Sequence, residues 1–226
     1  MAKQRSFEWR EGWGGARKGA GRKAVGRPGV AHRPRAVCRS YEPQHVTLRL
    51  VDGLPSMRRP DLAAAIGQVF RTLAADAKRC ENFRVVHFSI QGNHLHLLVE
   101  AEDNAFLSNG MRGLSIRLAK AANRVLGRNG RFVADRFHAR ALTTPTEVRH
   151  VLVYIFQNYK HHPDRYVRTY DGVDVASSAR WFAHWDRPPV PTGPSPVSPA
   201  RTWLVYKGWL HLGLLRREEA PAGCPR

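Results

Sequence analysis

His94 and His96, in the stretch GNHLHLLVE, stand one residue apart in a run that is otherwise apolar. A strand repeats every two residues, so both imidazoles leave the same face of a sheet. Imidazoles are good ligands for divalent metals but also common hydrogen-bonded core residues, so the pair alone is a weak metal signal. A second pair strengthens it. In VLVYIFQNYKHH, residues 151–162, Tyr154 and Asn158 are four apart, one helical turn, and share a helix face. They place a phenol and a carboxamide where a core helix prefers Leu. A phenolic oxygen can attack phosphorus and then hold a nucleic-acid chain covalently. A carboxamide oxygen can join two imidazoles in a mixed nitrogen–oxygen site with open positions, which suits Mg²⁺ or, with nitrogen ligands, Mn²⁺. His150, one turn before Tyr154, can share that face in support, whereas His45, His87 and His138 read as packing or surface residues.

The charge of the chain points the same way. Its 226 residues carry 37 Lys and Arg against 18 Asp and Glu, a net +19, and such a balance calls for a polyanion. Nucleic acid is the usual one; a membrane surface is disfavoured because no long basic amphipathic helix and no apolar run of 18 residues is present. Three cysteines, Cys38, Cys80 and Cys224, are widely spaced and indicate neither a disulfide framework nor a zinc knuckle. The N-terminus lacks an apolar leader segment, so the chain reads as soluble and intracellular.

Elements that would position these residues follow from periodicity. Residues 1–40 hold eleven Lys and Arg against two Glu, hence +9, in a Gly-Arg-Pro text that reads as a flexible basic arm. Within it Arg22, Lys23 and Arg27 are candidate phosphate contacts. From residue 44 strands are expected at 44–51, 83–90, 94–101 and 131–142. Helices are expected at 60–80, with Leu62, Ile66, Val69, Phe70 and Leu73 inward, and from Asp103 to about Leu126, with Leu107, Met111, Leu114, Leu118 and Val125 inward. The text TPTE, residues 144–147, is a capping-box start for a further helix to about Lys160, with Thr144 as N-cap and Glu147 at the third position. Arg131, Arg136 and Arg140 on the fourth strand are candidate DNA-phosphate contacts.

The order β-α-β-β-α-β plus one helix predicts an α+β, ferredoxin-like antiparallel sheet whose first and third strands are central. His94 and His96 would then lie mid-sheet, under the extra helix that carries Tyr154. The domain reading is a basic arm at 1–40, a catalytic domain at 41–187, a Pro-rich linker at 188–200 and a short C-terminal segment at 201–226 that docks back on the body.

These residues resemble the single-tyrosine HUH transposases and, within them, the REP-associated tyrosine transposases. The resemblance runs from about residue 44 to 182, through GNHLHLLVE, RLAKAANRVLGRNGRF, DRFHAR, VLVYIFQN and SSARWF; the arm and the RTWLVYKGWL tail look like those of a subgroup. One departure is NYKHHP, where many members follow the asparagine with Pro-Val-Arg-Ala. The resemblance implies a metal-dependent single-strand DNA endonuclease and strand transferase acting on hairpin-forming repeat or transposon ends. It implies Tyr154 as nucleophile carrying a 5′-phosphate, and His94, His96 and Asn158 as ligands of Mg²⁺ or Mn²⁺. Single-stranded or hairpin DNA is the implied partner, in a cytoplasmic, nucleoid-associated, bacterial-type setting, as a monomer or a homodimer.

Three other readings compete. A non-catalytic RNA-binding module on the same fold would place stacking aromatics on the central strands, and HVTLRLV and HLHLLVE contain none. A two-histidine-motif phosphodiesterase needs a second H-x-H, and only one is present. A domesticated transposase that binds its repeats without moving them has the same sequence signature.

Overall fold

The computed structural model describes residues 36–161 and 164–221, the side chain of Arg79 excepted. Most of the basic arm, with Arg22, Lys23 and Arg27, and Cys224 lie outside the described residues. Strand β1 (Gln44–Arg49) leads to helix α1 (Pro60–Ala74) and a short α2 (Ala77–Cys80). Strands β2 (Phe83–Ile90) and β3 (His94–Ala101) form a hairpin, followed by α3 (Asn104–Val125), β4 (His138–Ala141) and α4 (Pro145–Gln157). The four strands pair antiparallel in the order β2-β3-β1-β4, the α+β ferredoxin-like arrangement, with β1 and β3 in the centre.

Strand alternation sorts the sheet into two faces, each with its own core. Val46, Leu48, Leu95, Leu97 and Val99 point to one face, where Leu62, Ile66 and Phe70 of α1 and Leu107, Met111, Leu114 and Leu118 of α3 close over them. The opposite face carries His94, His96, Leu98 and Glu100 on β3 and His45 and Thr47 on β1. Here Leu98 and Val86 meet Val148, Leu152, Ile155 and Phe156 of α4. A strand covered on both sides reads as a near-continuous buried run, and β3 is buried from Leu95 to Ala101.

Local chemistry explains the helix ends. Asp103 accepts from the Phe106 amide at the start of α3, and Gly127 takes φ +59° just beyond its C-cap. Thr144 and Glu147 close a full capping box at the start of α4, with Pro145 in the first turn. Gly110 lets α3 lie flat on the sheet: a Cβ there would sit 2.2 Å from Cγ of Phe83.

The structure corrects three expectations. Strand β4 covers only 138–141. Residues 132–134 do bond to the end of β1, through Val51 N to Phe132 O and Ala134 N to Arg49 O, and Leu50 bridges Val133. Between that bridge and the Thr47–His138 pair the later segment advances five residues and β1 only three, so two residues bulge out of the ladder. Arg131 and Arg136 are therefore in the loop before β4, not on the strand. Val125 is outward; Ala122 takes the last core position of α3. At 22 residues α3 runs about 33 Å against about 26 Å for an eight-residue strand, so its last turn overshoots the sheet. The 60–80 helix is broken into α1 and α2.

Beyond α4 a small hairpin, β5 (Thr169–Tyr170) and β6 (Val173–Asp174), turns through Asp171 at φ +51° and Gly172 at φ +73°, as a two-residue hairpin turn demands. Asp174 forms a fully buried ion pair with Arg58, which also donates to the Ile90 carbonyl at 2.8 Å, tying this region to the β2 edge. Residues 200–215, including α5 (Trp203–Tyr206), pack Leu204, Val205, Trp209 and Leu215 into the α4 core. Buried Glu100 anchors their start. It accepts from Arg84 at 2.9 Å, from the Arg201 and Thr202 amides at 2.9 Å, and from the Thr202 hydroxyl at 2.8 Å.

Candidate active site

Register places the histidines. Thr47 of β1 pairs with His96 of β3, Arg49 with His94, and His45 with Leu98. One sheet face therefore presents His45, Thr47, His94 and His96 side by side, and α4 crosses above them. The His94 and His96 rings lie 4.7 Å apart at 83°. The Tyr154 ring stands edge-on to His96 at 4.9 Å and 81°. His45 completes the group, 5.4 Å from His96 and 5.8 Å from Tyr154.

Polar partners orient the rings. Asn93 Oδ1 lies 2.8 Å from His94 Nδ1, so that nitrogen donates and a neutral His94 carries its lone pair on Nε2. Thr47 Oγ1 lies 3.3 Å from Nδ1 of the buried His96. Burial, with Arg140 and His138 nearby adding to it, pushes His45 down to about 4, so it is neutral at neutral pH. Burial raises Tyr154 above the ordinary phenol range.

Asn158 closes α4 as its C-cap and is fully buried. Neither its Oδ1 nor its Nδ2 has a hydrogen-bond partner among the described residues. A buried amide left so costs about 1–3 kcal/mol, which a ligand in its place would offset. It lies one turn beyond Tyr154, on the same face of the chain. No set of three His, Cys, Asp or Glu side chains among the described residues is arranged to hold a metal ion. The donors on offer are two imidazoles and a carboxamide, a mixed nitrogen–oxygen set whose nitrogens favour Mn²⁺ over Mg²⁺.

Of the candidate arginines among the described residues, Arg131, Arg136 and Arg140, the structure brings only Arg140 to this site. It pairs across the ladder with His45, and its guanidinium bonds Glu147 at 3.0 Å. With His45, Arg149, His150 and Tyr154 it lines a cavity of about 470 Å³ whose far wall is Glu219–Pro221. Arg131 spends its guanidinium on the carbonyls of Val133 and Ala134, and Arg136 is exposed on the loop. Two cavity residues escape a sequence reading. His45 reads in the sequence as a packing or surface residue, although its outward position on a central strand puts it on this face. Arg149, held by Glu219 through two 2.9 Å contacts, has no local signal, because its partner is 70 residues away.

No protein-family model matches the chain, and neither does any curated protein. Among solved structures, a REP-associated tyrosine transposase bound to a REP hairpin is similar. It is 18% identical, with a TM-score of 0.43, over 59% of this chain and 75% of that chain. No described helix is long and apolar enough to cross a membrane.

Proposed function

We propose that this chain is a DNA-processing enzyme, a metal-dependent endonuclease and strand transferase that cuts single-stranded DNA at hairpin-forming ends through Tyr154. The observation that carries the reading is the placement of the Tyr154 ring 4.9 Å from His96, with His94 beside it and Asn158 one helical turn on. A phenol set edge-on to a paired-imidazole face is poor core packing and good phosphodiester chemistry.

In this reading the Tyr154 oxygen attacks phosphorus, the bond from phosphorus to the 3′-oxygen breaks, and the 5′-phosphate stays on the tyrosine. The phenol gives up its proton, and the departing 3′-oxygen gains one to leave as a hydroxyl. A second DNA 3′-hydroxyl reverses the step and joins a new strand. His94, His96 and Asn158 would hold Mg²⁺ or Mn²⁺, which supplies positive charge to a non-bridging phosphate oxygen as the displacement develops. Arg140, beside Tyr154 in the same cavity, would fix the flanking phosphate.

The test is a covalent adduct. Wild-type protein, a single-stranded oligonucleotide from the DNA flanking the gene and Mn²⁺ should give a protein–DNA species that survives denaturing electrophoresis, labelled from the 3′ side of the cut. Tyr154→Phe should bind the same DNA and form none. Adduct from that variant, or its mapping to Tyr159, Tyr166 or Tyr170, would refute the assignment.

A further inference from the structure

The opposite side of the sheet edge holds a second cavity, of about 340 Å³, between α1 and the segment 166–181. It exists because α1 presents its smallest side chains there. Ala63, Ala64 and Gly67 line it, while Leu62, Ile66 and Phe70 turn into the core. Phe88 and Ile90 of β2 form its floor, and the half-buried rings of Tyr166 and Trp181 wall it. The Trp181 indole is held in place, its Nε1 donating to the Gly193 carbonyl at 3.2 Å. The Arg58–Asp174 pair beneath fixes that wall to the β2 edge.

The rim is cationic. Arg71 and Arg168 line it, and neither pairs with a carboxylate among the described residues. Among the described residues no Asp or Glu lines the cavity. Apolar floor, aromatic walls and a positive rim together call for a flat, partly apolar ligand with an anionic end. In a chain of net +19, a nucleotide answers that description.

We infer that this cavity takes one unpaired nucleotide of the bound DNA, its base against Tyr166 and Trp181 and its phosphate at Arg71 and Arg168. The inference rests on the DNA reading proposed above but not on Tyr154. It gives the protein a contact to an unpaired base on the face of the sheet away from the nucleophile. Stacking of this kind tolerates any base, so the site measures whether a nucleotide is unpaired more than which it is.

The probe is a fluorescein-labelled hairpin with a single-stranded extension, drawn from the DNA flanking the gene, with one extension nucleotide at a time made abasic. Anisotropy with the full-length protein should show one position where loss of the base weakens binding roughly tenfold to a hundredfold. Gly67→Leu plugs the cavity without removing a contact, since its Cβ meets nothing nearer than Arg71 Nη1 at 3.8 Å. Leu also favours the helix, so the variant should fold. It should bind the intact probe as weakly as wild type binds the abasic one and show no further loss at that position. Trp181→Ala should do the same. Wild-type affinity and an unchanged abasic scan in folded Gly67→Leu would overturn the inference. So would a flat scan in wild type combined with binding of free deoxynucleoside monophosphate that Gly67→Leu abolishes, which would make the occupant a free nucleotide. Absence of the Tyr154 adduct in the same samples would refute the nuclease reading and leave the scan to decide the cavity.

Discussion

Acid should loosen the helix that carries Tyr154, and His87 sets the size of the effect. This ring is buried beneath α4, 4.9 Å from Phe156 and 5.3 Å from Phe182, with Ser178 Oγ 3.2 Å from its Nδ1. Burial, with His184 adding to it, pushes its pKa from 6.5 down to about 3. The folded state thus refuses a proton that the unfolded chain accepts below 6.5. Stability is full above that pH and falls as pH drops toward 3, by about 1.4 kcal/mol per unit. At about pH 5 the loss from this one group is about 2 kcal/mol. His45, lowered to about 4, adds a similar slope in the same window. A neutral replacement, His87→Gln, lowers stability at every pH but removes the His87 part of the slope. Urea unfolding of both proteins between about pH 5 and pH 7 isolates it, because His45 and the general acid response cancel in the difference. Parallel pH profiles for wild type and His87→Gln would show that the buried ring does not resist protonation and would refute the reasoning.

Three further outcomes are expected. His94→Ala combined with His96→Ala should abolish saturable Mn²⁺ binding in calorimetric titration while leaving DNA binding in place. Gly110→Ala should cost about 1–3 kcal/mol in urea unfolding, because its Cβ must displace the Phe83 ring from 2.2 Å. Glu100→Ala leaves Arg84 without its buried partner and two backbone amides without an acceptor; about 3–5 kcal/mol is lost and limited proteolysis should open the chain near residue 200.

How much of this could be read from sequence varies with the range of the cause. Capping boxes are local, so Thr144 and Glu147 announce the start of α4 in four letters. The β2–β3 hairpin is equally plain, since QGN separates two apolar runs. Period-two spacing suffices to put His94 and His96 on one face, and the strand order suffices to put a following helix over them. Contacts across the chain leave no such trace. Arg58 and Asp174 are 116 residues apart and each alone reads as a surface charge. Period-two spacing puts His45 on that face as well, but its place among the His96 and Tyr154 rings rests on the β1–β3 register, which periodicity does not supply. The bulge before β4 depends on a mismatch between two distant segments. The Asp171–Gly172 turn carries a local hairpin signal in the Asp-Gly dipeptide, but strands of two residues are too short to show an alternation around it.

The C-terminal segment grips α4 along its length: Glu219 holds Arg149 near its start, and the Arg217 carbonyl receives Gln157 and Lys160 at its end. The nucleophile helix and residues 200–221 are thus one unit of inheritance, though more than forty residues separate them. A chimera that borrows α4 from a relative must transplant the tail with it. Homologous recombination between such genes would be tolerated at the β4–α4 turn only when everything downstream travels together.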